Sequence, residues 1–273
     1  MRLFFLGTGA AEGLPALFCE CAICREAKSR GGVEVRTRST ILIDDMIKID
    51  LPPDTLHHVH RYPEMELSKL QHLLFTHSHD DHFAVRELQY LSPIFALTRK
   101  EPLNVYATGE VIAKMLREME HFFERAPIRF QSVIPYNEFA VGHLRVTPIV
   151  AHHREDELCL NYILSDGRKS VLYGCDTGWY DLPTWEFLER CRLDAVIMEC
   201  GKGKVRGGYD GHLNVDEVFR MRCCLLEAGV LSEDAPFYLT HISHTGLLLH
   251  EEMDRLVRPH GVRVAYDGMK VEI

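Results

Sequence analysis

The stretch THSHDDH, residues 76–82, follows the apolar run HLLF and places His77, His79, Asp81 and His82 close together in the chain. In an extended segment residues i and i+2 project to the same side, so His77 and His79 can hold one ion between them. The turn after them aims Asp81 and His82 at a neighbouring position. Imidazole and carboxylate together suit zinc and tolerate manganese or iron. A merely solvated loop gives no reason for four such donors to gather at this spacing behind a buried strand. The stretch reads as part of a metal centre.

Working outward, further polar residues directly follow apolar runs: Asp176 in LYGCDTG (172–178) and His241 in YLTHISH (238–244). Ligands carried on several strand ends can converge on one edge of a layered fold, where strands hold them rigidly and loops admit a substrate. β-rich runs such as RLFFLG, STILIDD, LNVYAT, LNYILS, LDAVIMEC and VRVAYDG recur along the chain. Helical patterns fall near 82–91, 109–124, 182–192, 214–228 and 249–258, and Asn214 with Glu217 predicts a capping box. Strands cluster first and then alternate with helices, and the same mix returns in the second half. That order predicts an α/β fold of two mixed sheets packed face to face with helices outside. No repeat, low-complexity tract or linker interrupts it, so one domain over residues 1–273 is expected.

Composition excludes several classes. Hydrophobic residues make up 46% of the 273-residue chain, and no run approaches the length of a membrane span. The opening MRLFFLGTGAAEG reads as a strand and turn and is too short in its apolar part for a signal-peptide core, so a cytoplasmic protein is expected. A net charge of −9 gives no support to broad nucleic-acid binding. Nine cysteines in a reducing compartment argue for metal binding or chemistry over disulfides. Cys19, Cys21 and Cys24 cluster in FCECAIC (18–24), while Cys159, Cys175, Cys191, Cys200, Cys223 and Cys224 are expected as small core residues.

The H-x-H-x-D-H pattern of His77, His79, Asp81 and His82 resembles the hallmark of the metallo-β-lactamase superfamily. That resemblance implies a four-layer αβ/βα sandwich with a two-metal centre. VTPIVAHH (146–153) is similar to the segment that supplies a third histidine, and His153 is preferred there over His152 by its spacing from Pro148. The resemblance then assigns His77, His79 and His153 to one ion, Asp81, His82 and His241 to the other, and Asp176 to both. C-x-C-x2-C near the start, together with THISH, resembles the phosphoribosyl 1,2-cyclic phosphodiesterase (PhnP-like) subgroup. In that resemblance Cys19, Cys21, Cys24 and His244 close a separate structural zinc site. FLGTGAAEGLP and AYDGMKVEI are similar to the subgroup's opening and closing segments. A nucleotide-binding reading of GTGAAEG fails, because Glu12 stands at the third glycine position and no Lys-Ser/Thr follows.

His212 in YDGHLN corresponds in the same resemblance to an active-site histidine outside the metal shell, able to protonate a leaving oxygen or stabilise phosphoryl charge. Asp176 is the second expected catalytic residue, fixing the ion pair and accepting the water proton. GKGKVRGG (201–208) offers Lys202, Lys204 and Arg206 either to a phosphate or to solvent. HHVH (57–60) is expected on a helix surface, and Asp50 is expected either to orient a metal-binding histidine or to be a solvated strand end.

The resulting expectation is a hydrolase with two active-site ions, zinc or manganese, acting on a small cyclic or nucleotide-like phosphodiester. A tRNA-processing nuclease, a lactone or thioester hydrolase and a relative of the pyrroloquinoline quinone biosynthesis protein B family are the other readings. The Gly/Pro-rich tRNA-binding arm of the nucleases is not seen in the sequence, and the complete histidine set favours catalysis. Self-association as a homodimer stays open.

Overall fold

The computed structural model describes residues 1–119 and 126–273. Among these, β1 (Arg2–Gly7), β2 (Thr40–Ile43), β3 (Ile47–Ile49), β4 (His72–Leu74), β5 (Leu103–Ala107) and β6 (Ile128–Ser132) form the body of one sheet. The other sheet holds β7 (Phe139–Val141), β8 (Leu144–Val150), β9 (Leu160–Ser165), β10 (Ser170–Gly174), β11 (Ala195–Glu199), β12 (Phe237–Thr240) and β13 (Val262–Val264). The last strand, β14 (Lys270–Glu272), returns to pair antiparallel with β1, so each sheet has seven strands. Both sheets are mixed. β3 through β6 run parallel, as do β10 through β13, while β1–β2–β3 and β7 through β10 are joined antiparallel.

The period-2 alternation of the strands builds the layers. On β1, Leu3 and Phe5 point into the interface between the sheets, while Phe4 and Leu6 point to the opposite, outer face. On β12, Tyr238 joins the inner interface while Phe237 and Leu239 face outward. Helices cover both outer faces. The first sheet is covered by α3 (Gly109–Glu118), through Val111 and Met115, and by the 3-10 segment Val85–Leu91. The second is covered by α4 (Leu182–Leu188), α5 (Val215–Glu227) and α6 (His250–Val257). On α5 the buried Val215, Val218, Met221 and Leu225 lie on one stripe, as a 3.6-residue period requires. Its predicted capping box is present, with Asn214 accepting from the Glu217 N–H and Glu217 accepting in return.

Three expectations need correction. The 82–91 pattern forms a 3-10 segment, not an α-helix, and the part of 109–124 beyond Met119 lies outside the described residues. HHVH sits on α2 (Thr55–Arg61), but only His57 and His60 are on its surface. His58 shares the inward face with Thr55 and is buried, with Nε2 2.8 Å from Thr37 Oγ1. Of the six cysteines expected in the core, Cys223 is exposed and Cys191 and Cys224 are half-buried, because the α5 period turns positions 223 and 224 away from its apolar stripe.

Candidate metal centre

The site lies beyond the C-terminal ends of the central strands of both sheets. Asp50 follows β3, His77 follows β4, His153 follows β8, Asp176 follows β10, Glu199 ends β11 and His241 follows β12. Asp50, Asp176 and His241 have φ of +64°, +55° and +55°. This left-handed region costs a non-glycine residue energy, and such strain persists where the surroundings dictate it. Here it turns three polar side chains from strand ends toward one volume.

His77, His79 and His153 converge on that volume. His79 Nδ1 lies 2.9 Å from His77 Nε2 and 3.1 Å from His153 Nε2, and Asp176 Oδ2 is 3.4 Å from His77 Nε2. A second set adjoins it through the same carboxylate. His82 Nε2 is 2.7 Å from Asp176 Oδ2 and 3.0 Å from Asp81 Oδ2, and His241 Nε2 is 2.8 Å from Asp176 Oδ1. Cys175 joins this second set, its thiol fully buried and pushed far up by burial and then by Asp176. Burial opposes ionisation of Asp81 and Asp176, yet the facing imidazoles hold both carboxyls well below the usual range. His77 is driven down by its burial.

Behind these donors stands a supporting layer. The Asp50 carboxylate accepts from His82 Nδ1 at 2.8 Å and from the Thr76 N–H and hydroxyl at 2.8 and 2.9 Å, and Thr76 Oγ1 lies 2.9 Å from His77 Nδ1. One carboxylate thereby fixes the rings of both flanking histidines, the role such acceptors play around metal-binding imidazoles. His153 Nδ1 donates to the Gly211 carbonyl at 3.0 Å. The fully buried Tyr162 donates its hydroxyl to the Phe75 carbonyl at 2.6 Å and pins the strand end that leads to His77.

His153 faces inward and His152 does not. His152 Nδ1 is 3.2 Å from Asp181 and Nε2 is 3.6 Å from Asp210, at the rim. His212 stacks on His241 with centroids 5.3 Å apart, and its Nδ1 lies 3.4 Å from Glu199 Oε1 and 3.7 Å from Asp176 Oδ1. Burial disfavours the His212 cation, but the Glu199 carboxylate outweighs it and raises this imidazole above its ordinary value. Sequence reasoning missed Glu199. Its other contacts, accepting from the Leu213 and Gly201 N–H groups at 2.6 Å each, anchor the loop that carries His212. The signal was a carboxylate ending the apolar run LDAVIME. Gly178 lets that loop close: a Cβ there would meet the Asp210 carbonyl oxygen at 1.7 Å. In GKGKVRGG, Lys202 pairs with Glu217 at 3.1 Å and Arg206 with Asp216 at 2.6 Å, while Lys204 is exposed. The donors form the floor of an open cleft of about 970 Å³.

Cys19, Cys21, Cys24 and His244 come together separately. His244 Nδ1 is 3.6 Å from Cys19 Sγ and 3.5 Å from Cys21 Sγ, and Cys24 joins the same cluster. Cys21 caps α1 (Ala22–Arg30), where the Cys24 N–H and then His244 pull its thiol down to about 6. Burial instead pushes Cys24 up to about 11. Glu12 Oε1 sits 3.6 Å from His244 Nε2, so the residue that spoils the glycine motif backs this histidine.

Both clusters fit metal. In the cleft, His82 Nε2, Asp176 Oδ1 and His241 Nε2 converge, buried with no hydrogen-bonding partner among the described residues although oppositely charged atoms lie beside them; the Nδ1 atoms of His212 and His241 are likewise unpartnered there but point elsewhere. Buried polar atoms are rarely left so, and atoms aimed at a common point are what a cation satisfies. In the cysteine cluster, 3.5 and 3.6 Å match the edge of about 3.6 Å expected between sulfur and nitrogen ligands of tetrahedral zinc.

Residues 40–242 match the family model described as the beta-lactamase superfamily domain. The chain belongs to that family. The whole of this superfamily member aligns with an octanoyltransferase of Porphyromonas gingivalis at 25% identity, although it spans only about half (52%) of that protein's length. It aligns end to end with coenzyme PQQ synthesis protein B of Acinetobacter baumannii at 22% identity, covering 100% of both chains. Among solved structures, a diphosphatase from the PhnP family superposes with a TM-score of 0.78 at 23% identity, over 100% of this chain and 97% of that one. Zinc-bound PqqB from Methylobacterium extorquens gives 0.77 at 20% identity over 100% of both. At these identities the superpositions establish the fold, which is the metallo-β-lactamase sandwich predicted from the sequence.

Proposed function

We propose that this chain is a binuclear metal-dependent hydrolase acting on a small phosphodiester. His77, His79 and His153 would hold one ion, Asp81, His82 and His241 the other, with Asp176 shared. Cys19, Cys21, Cys24 and His244 would hold a structural zinc, since four protein ligands leave no position open to substrate. Bound in the cleft, the ions would supply Lewis acidity and lower the pKa of water toward neutrality.

The observation that carries the reading is the placement of His212 beside the shared carboxylate, with Glu199 behind it. Hydrolysis of a phosphodiester adds water at phosphorus and breaks one P–O ester bond. The departing oxygen then needs a proton, and His212, raised above its ordinary value by Glu199, is placed to donate it. Products are an alcohol and a phosphomonoester. Asp176 accepts a proton from the attacking water or holds the donors in register, and Asp50 keeps His82 and His77 turned inward. The resemblance to a PhnP-family diphosphatase supports phosphoryl chemistry. The test is a panel of bis-p-nitrophenyl phosphate, a cyclic nucleotide, a lactone and a thioester on zinc- and manganese-loaded protein. Turnover of the phosphodiesters is expected. Turnover of only the lactone or thioester would overturn the proposal.

A further inference from the structure

The walls of the cleft carry a different charge from its floor. Glu110, Glu155, Asp156, Glu157, Asp181 and Asp210 line it, and all but the half-buried Glu157 are exposed. Against these six carboxylates the lining holds, among the described residues, one guanidinium, Arg154. That cation is already engaged: Arg154 Nε donates to Asp156 Oδ1 at 2.6 Å, and Nη1 lies 3.8 Å from Glu157. His152, the other basic group at the rim, stands between Asp181 and Asp210. Of the nearby cations of GKGKVRGG, Lys202 and Arg206 are paired with Glu217 and Asp216, and the exposed Lys204 does not line the cleft. The floor is distinct. There Asp176 Oδ1 and His241 Nε2, 2.8 Å apart and buried with no hydrogen-bonding partner among the described residues, mark where the cationic centre and the scissile group belong.

We infer that the substrate carries its negative charge at the scissile phosphodiester alone, and that the arm lying along the cleft wall is cationic, as in an amino- or ammonio-alkyl ester. This rests on the phosphodiesterase reading above and narrows it. Each exposed carboxylate alone acts weakly through water. A concave wall of one sign focuses the field, however, and changes the encounter rate of a charged ligand by a factor of ten or more. A second phosphate on the arm would meet this wall with no free guanidinium among the described lining residues to receive it. Nucleic acid and nucleoside polyphosphates carry such charges along their length, and a recognition site for them is ordinarily basic.

The test uses metal-loaded protein and three p-nitrophenyl phosphodiesters, whose second ester arm ends in trimethylammonium, in methyl or in phosphate. At low ionic strength kcat/KM is expected to fall in that order, by about tenfold per step. High salt should compress the series, because exposed charges are screened beyond roughly 10 Å at 0.1 M. A variant combining Glu155→Gln, Asp156→Asn and Asp210→Asn should narrow the ammonium-to-phosphate ratio. Equal turnover of all three diesters, or faster turnover of the phosphate-ended one, would overturn the inference and leave the phosphodiesterase reading intact. Failure to hydrolyse any of them would overturn both.

Discussion

At the scale of single residues, the converging donors are proposed to hold the ions and His212 to move a proton. His212 touches Asp176 and Glu199 but belongs to neither set of converging donors. His212→Ala should therefore leave the ion content of the cleft unchanged and slow hydrolysis of an alkyl diester on the order of a hundredfold. The loss should shrink on a p-nitrophenyl diester, whose leaving group needs no proton. An equal loss on both substrates would assign His212 to binding instead. The donor types and their spacing in THSHDDH were legible because local backbone geometry brings His77 and His79 together. Which of His152 and His153 faces the converging donors depends on the turn after β8, which sends the His153 ring inward and the His152 ring to Asp181. Glu199 was invisible for a related reason. Its partners come from loops near in space, and a lone carboxylate at a strand end carries no pattern.

At the scale of elements, strand ends position the chemistry and helix starts hold the loops between them. Asn214 shows this most directly, since it caps α5 immediately after the loop bearing His212. Asn214→Ala removes the side-chain acceptor for the Glu217 N–H and should destabilise the protein by about 1 kcal/mol. Thermal denaturation should show a melting temperature lower by roughly 2–4 °C for a chain of this size. No change would mean that the cap is redundant with the packing of Val215 and Val218. This capping box was readable in advance because its rule is local. The 3-10 geometry of Val85–Leu91 was not, because an apolar spacing over a few residues suits either helix type. Alternating runs such as RLFFLG gave the layers correctly, since β1 puts Leu3 and Phe5 in the inner interface and Phe4 and Leu6 under the helix layer on its other side.

At the scale of the whole molecule, acid should loosen the fold through histidines remote from the cleft. Burial, and then Lys48, holds His58 down to about 3, and burial, and then Arg36, holds His250 down to about 4. Both fold as neutral imidazoles, whereas in the unfolded chain they gain protons near the ordinary value of 6.5. Their contribution is complete above that pH and is lost progressively as pH falls toward 4 and then 3. Denaturant midpoints measured across this range should fall, and His250→Gln should flatten the dependence; an unchanged slope in the variant would remove His250 from the account. The central claim is that two separate clusters hold metal for different purposes, one for chemistry and one for joining the N-terminal loop to the loop bearing His241. Its most direct test is metal per chain, measured by mass spectrometry beside phosphodiester turnover, for wild type, Asp81→Ala and Cys21→Ser. Asp81→Ala should lose cleft metal and turnover together while keeping the thiolate-bound zinc. Cys21→Ser should lose that zinc and melt at lower temperature while the cleft still loads and turns over substrate. Full metal and near-normal turnover in Asp81→Ala would contradict the account.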